Sequence, residues 1–458
     1  MAPRHVKRED FFDLFPTVLR RFAGPSAVSS LTAVPDSFVP IIKLVLNNIE
    51  IDLIFVAIES LQTIPKDLSL NDNKLLDGLD QAGIRAITGP VSFACHSACR
   101  WMCAHGAQRV TDEILSLVPE QKTFRTALRA IKLWAQRRAI YANIVGYPGG
   151  VAWAMLVARV CQLYPHAVGA TIVNKFFFVM KDWQWPVPVM LKEIEQGKEK
   201  VWNPAIYPGD KRNIMPIITP AYPSMCATYN ISKSGKTVIL RELERGSQIT
   251  NNIFYGNGRW SDLFKKHTFF TQDHKYYLSV IASSRKADAA KAWSGLVESK
   301  VRILVMQLEL LSDMINLARP YTKGFKRVHQ CESESQVAEV KKGSMKYQIE
   351  ETKTVATTDP ELVTTDGHGS ASLPGVLPDA NPDGANAEGL ILHTYTFYIG
   401  IDLTPQATKN LNISAAISYF KSVCEAWTNY NSELHDLTVV PNKRYGAAVA
   451  DCDDVLPC

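Results

Sequence analysis

Residues 123–159 read TFRTALRAIKLWAQRRAIYANIVGYPGGVAWAMLVAR, and the spacing of their apolar side chains sets the architecture of the middle of the chain. Phe124, Leu128, Ile131 and Ala135 recur at helical spacing and form a buried stripe, with Lys132 beside it rather than opposite. This helix ends in a turn with Tyr141 and Asn143. The loop Gly146, Pro148, Gly149, Gly150 then feeds a second, apolar helix starting at Val151. Bare glycine backbone at a helix N-terminus offers N–H groups to an anion. A cation, a phenol and an amide close by complete a seat for a nucleoside triphosphate. The same residues also read as a solvated lysine on an ordinary helical hairpin, since glycine loops before helices are common.

Outward from this stretch the chain is α+β. Phe11 to Phe22 reads as a helix that Pro16 kinks or starts late. A hairpin follows, FVPIIKLVLNNIEIDLIF over residues 38–55, in which Asn47-Asn48 supplies a turn able to take positive φ. A two-residue turn there puts Lys43 opposite Asp52 and Val45 opposite Glu50, with Ile49, Ile51, Leu53 and Phe55 on one face. From about Leu61 to Lys266 the pattern is mostly helical, and Thr111 reads as an N-cap followed by Asp112 and Glu113. Strand YYLSVIAS precedes helix AWSGLVESKVRILVMQLELL; strand TYTFYIGIDL precedes helix NISAAISYFKSVCEAW; strand DLTVV closes the set. Such alternation predicts a small α+β sandwich. Within it, Cys331 to Gly389 is rich in Thr, Asp, Pro, Gly and Ser, and a disordered insertion is expected over 332–388.

A chain of 458 residues favours two or three domains, and 46% hydrophobic residues suffice for several cores. The net charge of +5 hides a contrast. Residues 332–388 hold eleven acidic and four basic side chains, which leaves +12 on the rest, a body suited to a polyanionic partner. Nine cysteines without framework-like spacing point to a reducing compartment. No apolar run approaches the roughly 18–20 residues that span a bilayer, so no membrane is expected as a partner.

The quoted segments, together with LQTIPKDLSL, RVTDEILSLVP, MPIITPAYPSMCATYNIS and GLVESKVRIL, follow one another in an order that resembles eukaryotic nuclear poly(A) polymerases. The resemblance covers most of the chain to about Leu311. It implies a partial nucleotidyltransferase palm sheet over 1–60, a helical central domain over 61–266, and an RNA-binding domain over 267–458 with the topology of an RNA-recognition motif. It implies template-independent addition of adenylate from ATP to the 3′ ends of messenger RNA, in the nucleus, beside 3′-end processing factors. The cofactor would be Mg2+ or Mn2+. Family positions match residue by residue: Asp52 as the third metal-binding carboxylate; Phe38 and Ile41, with Lys43 nearby, against the adenine; Lys132 on the phosphates; Tyr141 and Asn143 on the nucleotide; and Gly150 and Val151 opening the next helix. Taken by itself, Asp52 also reads as the cross-strand ion-pair partner of Lys43. Thr219 either lines the cleft or packs.

Two departures from the family shape the expectations. The Gly-Ser turn and Asp-x-Asp strand that precede APRHVKREDFF in the family are absent from these 458 residues, so little or no transferase activity is expected of the chain as written. A catalytically dead RNA-binding or scaffold subunit of the processing assembly is the alternative reading. The stretch 91–108, VSFACHSACRWMCAHGAQ, interrupts the family pattern. Its Cys95, Cys99 and Cys103 are spaced unlike a structural zinc site, and a retained intron is expected instead. The C-terminal domain shows no aromatic strand signature, so RNA contact there would rest on charge, with Lys300, Arg302, Lys443 and Arg444 as candidates.

Overall fold

The computed structural model describes residues 2–24, 27–35, 40–47, 49–59, 61–65, 68, 72–88, 109–352, 390–405 and 411–443. They fall into two compact units: Met1–Tyr141, Pro148–Ile231 and Ile239–Lys265 in the first; Ala142–Tyr147, Ser232–Val238 and Lys266–Cys458 in the second. Sheets and helices coexist as the α+β reading requires.

The first unit begins with strand β1 (Ala2–Pro3), then helices α1 (Arg8–Asp13) and α2 (Phe15–Ala23). The single helix expected over 11–22 is thus two. The break is at Leu14, and Pro16 sits in the first turn of α2, where a missing N–H costs nothing. Strands β2 (Val28–Val34), β3 (Ile41–Leu46) and β4 (Ile49–Ile54) form an antiparallel sheet in the order β2-β3-β4. Asn47 takes φ 49° at the turn, and Lys43 pairs with Asp52 in the predicted register. Alternation sorts the faces: Ile42 and Leu44 are buried, whereas Lys43 and Asp52 are exposed. Strand β5 (Ala57–Ile58) returns to pair with β1.

The helical part follows as α3 (Gln81–Thr88), α4 (Arg109–Leu117), α5 (Gln121–Arg137), α6 (Gly150–Leu163), α7 (Gly169–Lys181), α8 (Pro208–Lys211), α9 (Lys233–Phe254) and α10 (Trp260–Leu263). Thr111 lies inside α4 and so does not cap it. The stretch 89–108, with Cys95, Cys99, Cys103 and the expected intron, lies outside the described residues. Helices α5, α6 and α7 share a dry aromatic core. Trp134 meets Trp153 edge-on at 5.5 Å and Phe177 at 4.8 Å, and Phe176 meets Phe177 at 5.2 Å. Gly246 of α9 abuts that core, where a Cβ would stand 2.3 Å from the Phe177 ring. A second apolar cluster joins Val56, Leu76, Ala86, Ile87, Val201 and Tyr222 and ties the strands to the helices of this unit.

The second unit is built from β6 (Tyr276–Ser284), α11 (Ala287–Glu309), β7 (Ile315–Pro320), β8 (Phe325–Cys331), α12 (Glu334–Lys341), β9 (Gln348–Thr352), β10 (Leu390–Leu403), α13 (Ser414–Glu425) and β11 (Asp436–Lys443). Its antiparallel sheet runs β11-β6-β10-β8-β9, with β7 pairing the far half of β10. Val280, Ala282, Phe397 and Ile399 face α11 and α13, whose Trp293, Val297, Leu304 and Phe420 complete the core. Helix α12 and strand β9 correct the expectation of disorder over 332–352. Ser333 caps the helix, and Val337 and Val340 bury against Cys331 and Leu392, enough apolar surface to order a short element. The remainder of that expected insertion, 353–389, lies outside the described residues.

On the sheet face opposite α11, His329 is buried, with Nε2 and the Thr394 hydroxyl 3.1 Å apart. Burial, aided by the neighbouring Arg327, pushes its imidazole down to about 4. The folded value lies below the unfolded one, so this group's contribution is complete above about pH 6.5 and is lost as pH falls toward 4. The loss is expected to reach up to about 3 kcal/mol. Urea unfolding at pH 7 and 4.5 checks it: the drop in stability should shrink in His329→Gln, and an equal drop in both proteins refutes it.

Candidate nucleotide-binding site

Helix α5 starts where the Glu120 side chain accepts the N–H groups of Lys122, at 2.7 Å, and of Thr123. Its buried face holds Phe124, Leu128, Ile131 and Ala135 as the spacing predicts, joined by Ala127 and Trp134. Lys132 flanks that face, half-buried, with its ammonium 5.8 Å from the centre of the Tyr141 ring. A cation over a phenol ring is held electrostatically, and its stem is shielded by apolar neighbours. Burial pushes the Tyr141 hydroxyl up to about 12, so it remains a neutral hydrogen-bond donor at every physiological pH.

Beyond the loop, Gly149 stands at the N-cap of α6 and Gly150 is its first residue; no side chain caps this helix. Gly150 and Val151 are both buried. An apolar helix whose first-turn N–H groups lack a side-chain cap suits an anionic ligand. Helix α6 is wedged against α5 through Trp153 and Trp134, which fixes its start relative to the lysine helix.

The other predicted residues are placed as follows. Asp52 and Lys43 face one another on the exposed side of the hairpin, yet among the described residues they form no ion pair within 4 Å. Ile41, at the start of β3, is half-buried. Phe38 lies outside the described residues. Asn143 opens a short turn, Asn143–Val145, and belongs to the second unit, where Tyr147 donates to the Pro320 carbonyl at 3.3 Å. Thr219 is buried and its hydroxyl accepts the Met225 N–H at 2.9 Å, which is packing and not a cleft lining. Lys300 and Arg302 are half-buried on α11, Lys443 ends β11, and Arg444 lies outside the described residues.

No group of three or more His, Cys, Asp or Glu side chains able to hold a metal occurs among the described residues. Asp52 is exposed and, among the described residues, makes no ion pair. Among those residues no helix is long and apolar enough to cross a membrane.

One structural determinant escaped the sequence reading. Arg138, the C-cap residue of α5, makes a buried two-pronged ion pair with Glu242, at 2.8 and 2.9 Å, and donates to the Lys265 carbonyl at 3.0 Å. The partners are 104 residues apart, so no local pattern announces them.

Three family models match the chain: a poly(A) polymerase nucleotidyltransferase domain over residues 1–90, a poly(A) polymerase central domain over 123–266, and a poly(A) polymerase predicted RNA binding domain over 268–448. Among curated proteins, poly(A) polymerase pla1 of Schizosaccharomyces pombe is 44% identical over 453 residues, 97% of this chain and 74% of that protein. Poly(A) polymerase PAPa of Candida albicans is 42% identical over 455 residues, again 97% and 74%. Poly(A) polymerase PAPalpha of the same species is 41% identical over 456 residues, 96% and 73%.

Proposed function

The chain belongs to the poly(A) polymerase family, and from that premise we propose that it transfers adenylate from ATP to the 3′ hydroxyl of RNA. The observation that carries this reading is the pairing of Lys132 with Tyr141 at the end of α5, the helix that packs through Trp134 against Trp153 of α6, whose glycine-opened start has no side-chain cap. A triphosphate brings negative charge that Lys132 offsets, while Tyr141 donates a hydrogen bond and the α6 N–H groups receive an oxygen. Ile41 gives the base an apolar wall, with Lys43 nearby; Phe38 and Asn143 complete the set by resemblance.

Magnesium or manganese, when bound, would supply Lewis-acid polarisation of the phosphates. Asp52 is the residue of this chain assigned to it. Nuclear residence and docking to 3′-end processing factors belong to the same proposal.

Incorporation of labelled ATP into an RNA primer tests it, using the chain alone and the chain extended by the family's Gly-Ser and Asp-x-Asp segment. In the extended protein, Lys132→Ala should raise KM for ATP by about 10–100-fold, the value of a charge-assisted contact. Asp52→Ala should lower kcat by about 100-fold or more. Full activity of Asp52→Ala would remove its metal role. RNA binding without any incorporation by the extended protein would make the chain a non-catalytic RNA-binding subunit.

A further inference from the structure

The outward face of α5 carries Lys122, Arg125, Arg129 and Lys132, spaced three, four and three residues apart, so all four lie along one side of the helix. Lys122, Arg125 and Arg129 are exposed and Lys132 is half-buried. Several cations elsewhere on this unit sit beside carboxylates: Arg8 meets Asp80, Lys181 meets Glu244, Lys198 meets Asp77 and Lys265 meets Asp262. Arg125 and Arg129 do not. Arg125 donates to the neutral Gln121 amide at 3.1 Å and Arg129 to the Arg125 carbonyl at 3.3 Å. Among the described residues neither has an acidic partner. Like charges four residues apart repel, so this arrangement weakens the isolated helix and is relieved when an anion lies across it.

From these positions we propose that the outward face of α5 holds the sugar–phosphate backbone of the RNA strand and leads it toward Lys132. The proposal rests on the nucleotidyl-transfer reading above and names the surface of that site which takes the polymer. From Arg125 to Lys132 the helix rises about 10 Å, room for about three phosphates at the 3.4 Å spacing of a stacked strand. Guanidinium forks match phosphate oxygens in pairs. The side chains on and beside this face, Gln121, Thr126, Leu133 and Gln136, offer no ring on which a base could stack. Contact is therefore to the backbone and independent of sequence, as suits a strand whose growing end changes with each addition.

The test is binding of a short single-stranded oligoadenylate to the full 458-residue chain, followed by fluorescence anisotropy at several salt concentrations. Arg125→Gln/Arg129→Gln should weaken RNA binding by about tenfold or more and flatten the log–log salt slope by about 1.4, that is about 0.7 for each lost phosphate. Arg125→Lys/Arg129→Lys should retain the slope, and Lys211→Glu, an exposed position off this face, should leave binding near that of the wild type. ATP affinity of the glutamine variant should be unchanged, which separates a lost RNA contact from a misfolded helix. An unchanged slope in the glutamine variant, with the wild type binding RNA, overturns the proposal and leaves the enzymatic reading intact. Weaker binding of polyglutamate with RNA binding unaltered would assign the face to an acidic protein and overturn it as well. A wild-type chain that binds no RNA at all would sink both.

Discussion

Arg138→Ala is expected to lower the unfolding free energy of the first unit by about 3–5 kcal/mol, the usual consequence of stranding one member of a buried ion pair. Both side chains are only 10% exposed. The guanidinium spends Nε and one Nη on the two Glu242 oxygens and its other Nη on the Lys265 carbonyl, so no donor atom of the fork is idle. Removing it leaves a carboxylate in a site dry enough that water cannot replace three charge-assisted contacts. Arg245, whose Nη1 lies 3.9 Å from Glu242, is too distant to take over the hydrogen bonds. The pair also closes the C-terminal turn of α5, where the Arg138 N–H bonds the Trp134 carbonyl at 2.9 Å. Denaturant titration followed by tryptophan fluorescence measures the effect. The double replacement Arg138→Met/Glu242→Leu should recover most of the loss, because two apolar side chains leave no buried charge. A single-variant cost below about 1 kcal/mol would contradict the assignment.

Trp134→Ala is the second large effect, expected at about 3–5 kcal/mol. The indole is fully buried and sits at the centre of the Trp153, Phe176 and Phe177 cluster. Three rings held edge-on against it cannot all rotate into the void, so the vacated space persists as a cavity. Trp134→Phe should lose roughly half as much, since a smaller ring keeps part of the edge-on packing. Because Trp134 lies two residues after Lys132 on the same helix, its loss should also raise KM for ATP more than it lowers kcat in the extended protein. Equal stability of Trp134→Ala and wild type would mean that this cluster does not anchor the lysine helix. Trp134 and Arg138 share one helical turn, so their costs should fall short of additive in the double variant.

Much of this was legible in the chain itself. The hairpin register follows from a two-residue turn and strict alternation, and Lys43 does pair with Asp52. The inner face of α5 follows from period alone, and α6 begins at Gly150, one residue before the Val151 start that the apolar pattern gives. Strand β8, FKRVHQC, was not legible: its Arg327 and His329 are both 1% exposed, so a strand that points charge and imidazole inward carries no apolar alternation to find. Strands β7 and β9 and helix α12 were missed for a different reason, being short and stabilised by partners from distant segments.

Sequence by itself determined the local periods, the turn chemistry, the apolar face of α5 and the family to which the chain belongs, because each is written in residues close together or in long ordered matches. Only the tertiary structure decided which polar groups are buried and with whom. Glu242 is drawn to Arg138 across 104 residues. Asp52 stays in solvent without the ion pair that its register allowed. The physical reason is that burial and pairing energies depend on what the folded chain brings within a few ångströms, and that proximity is a property of the whole packed unit.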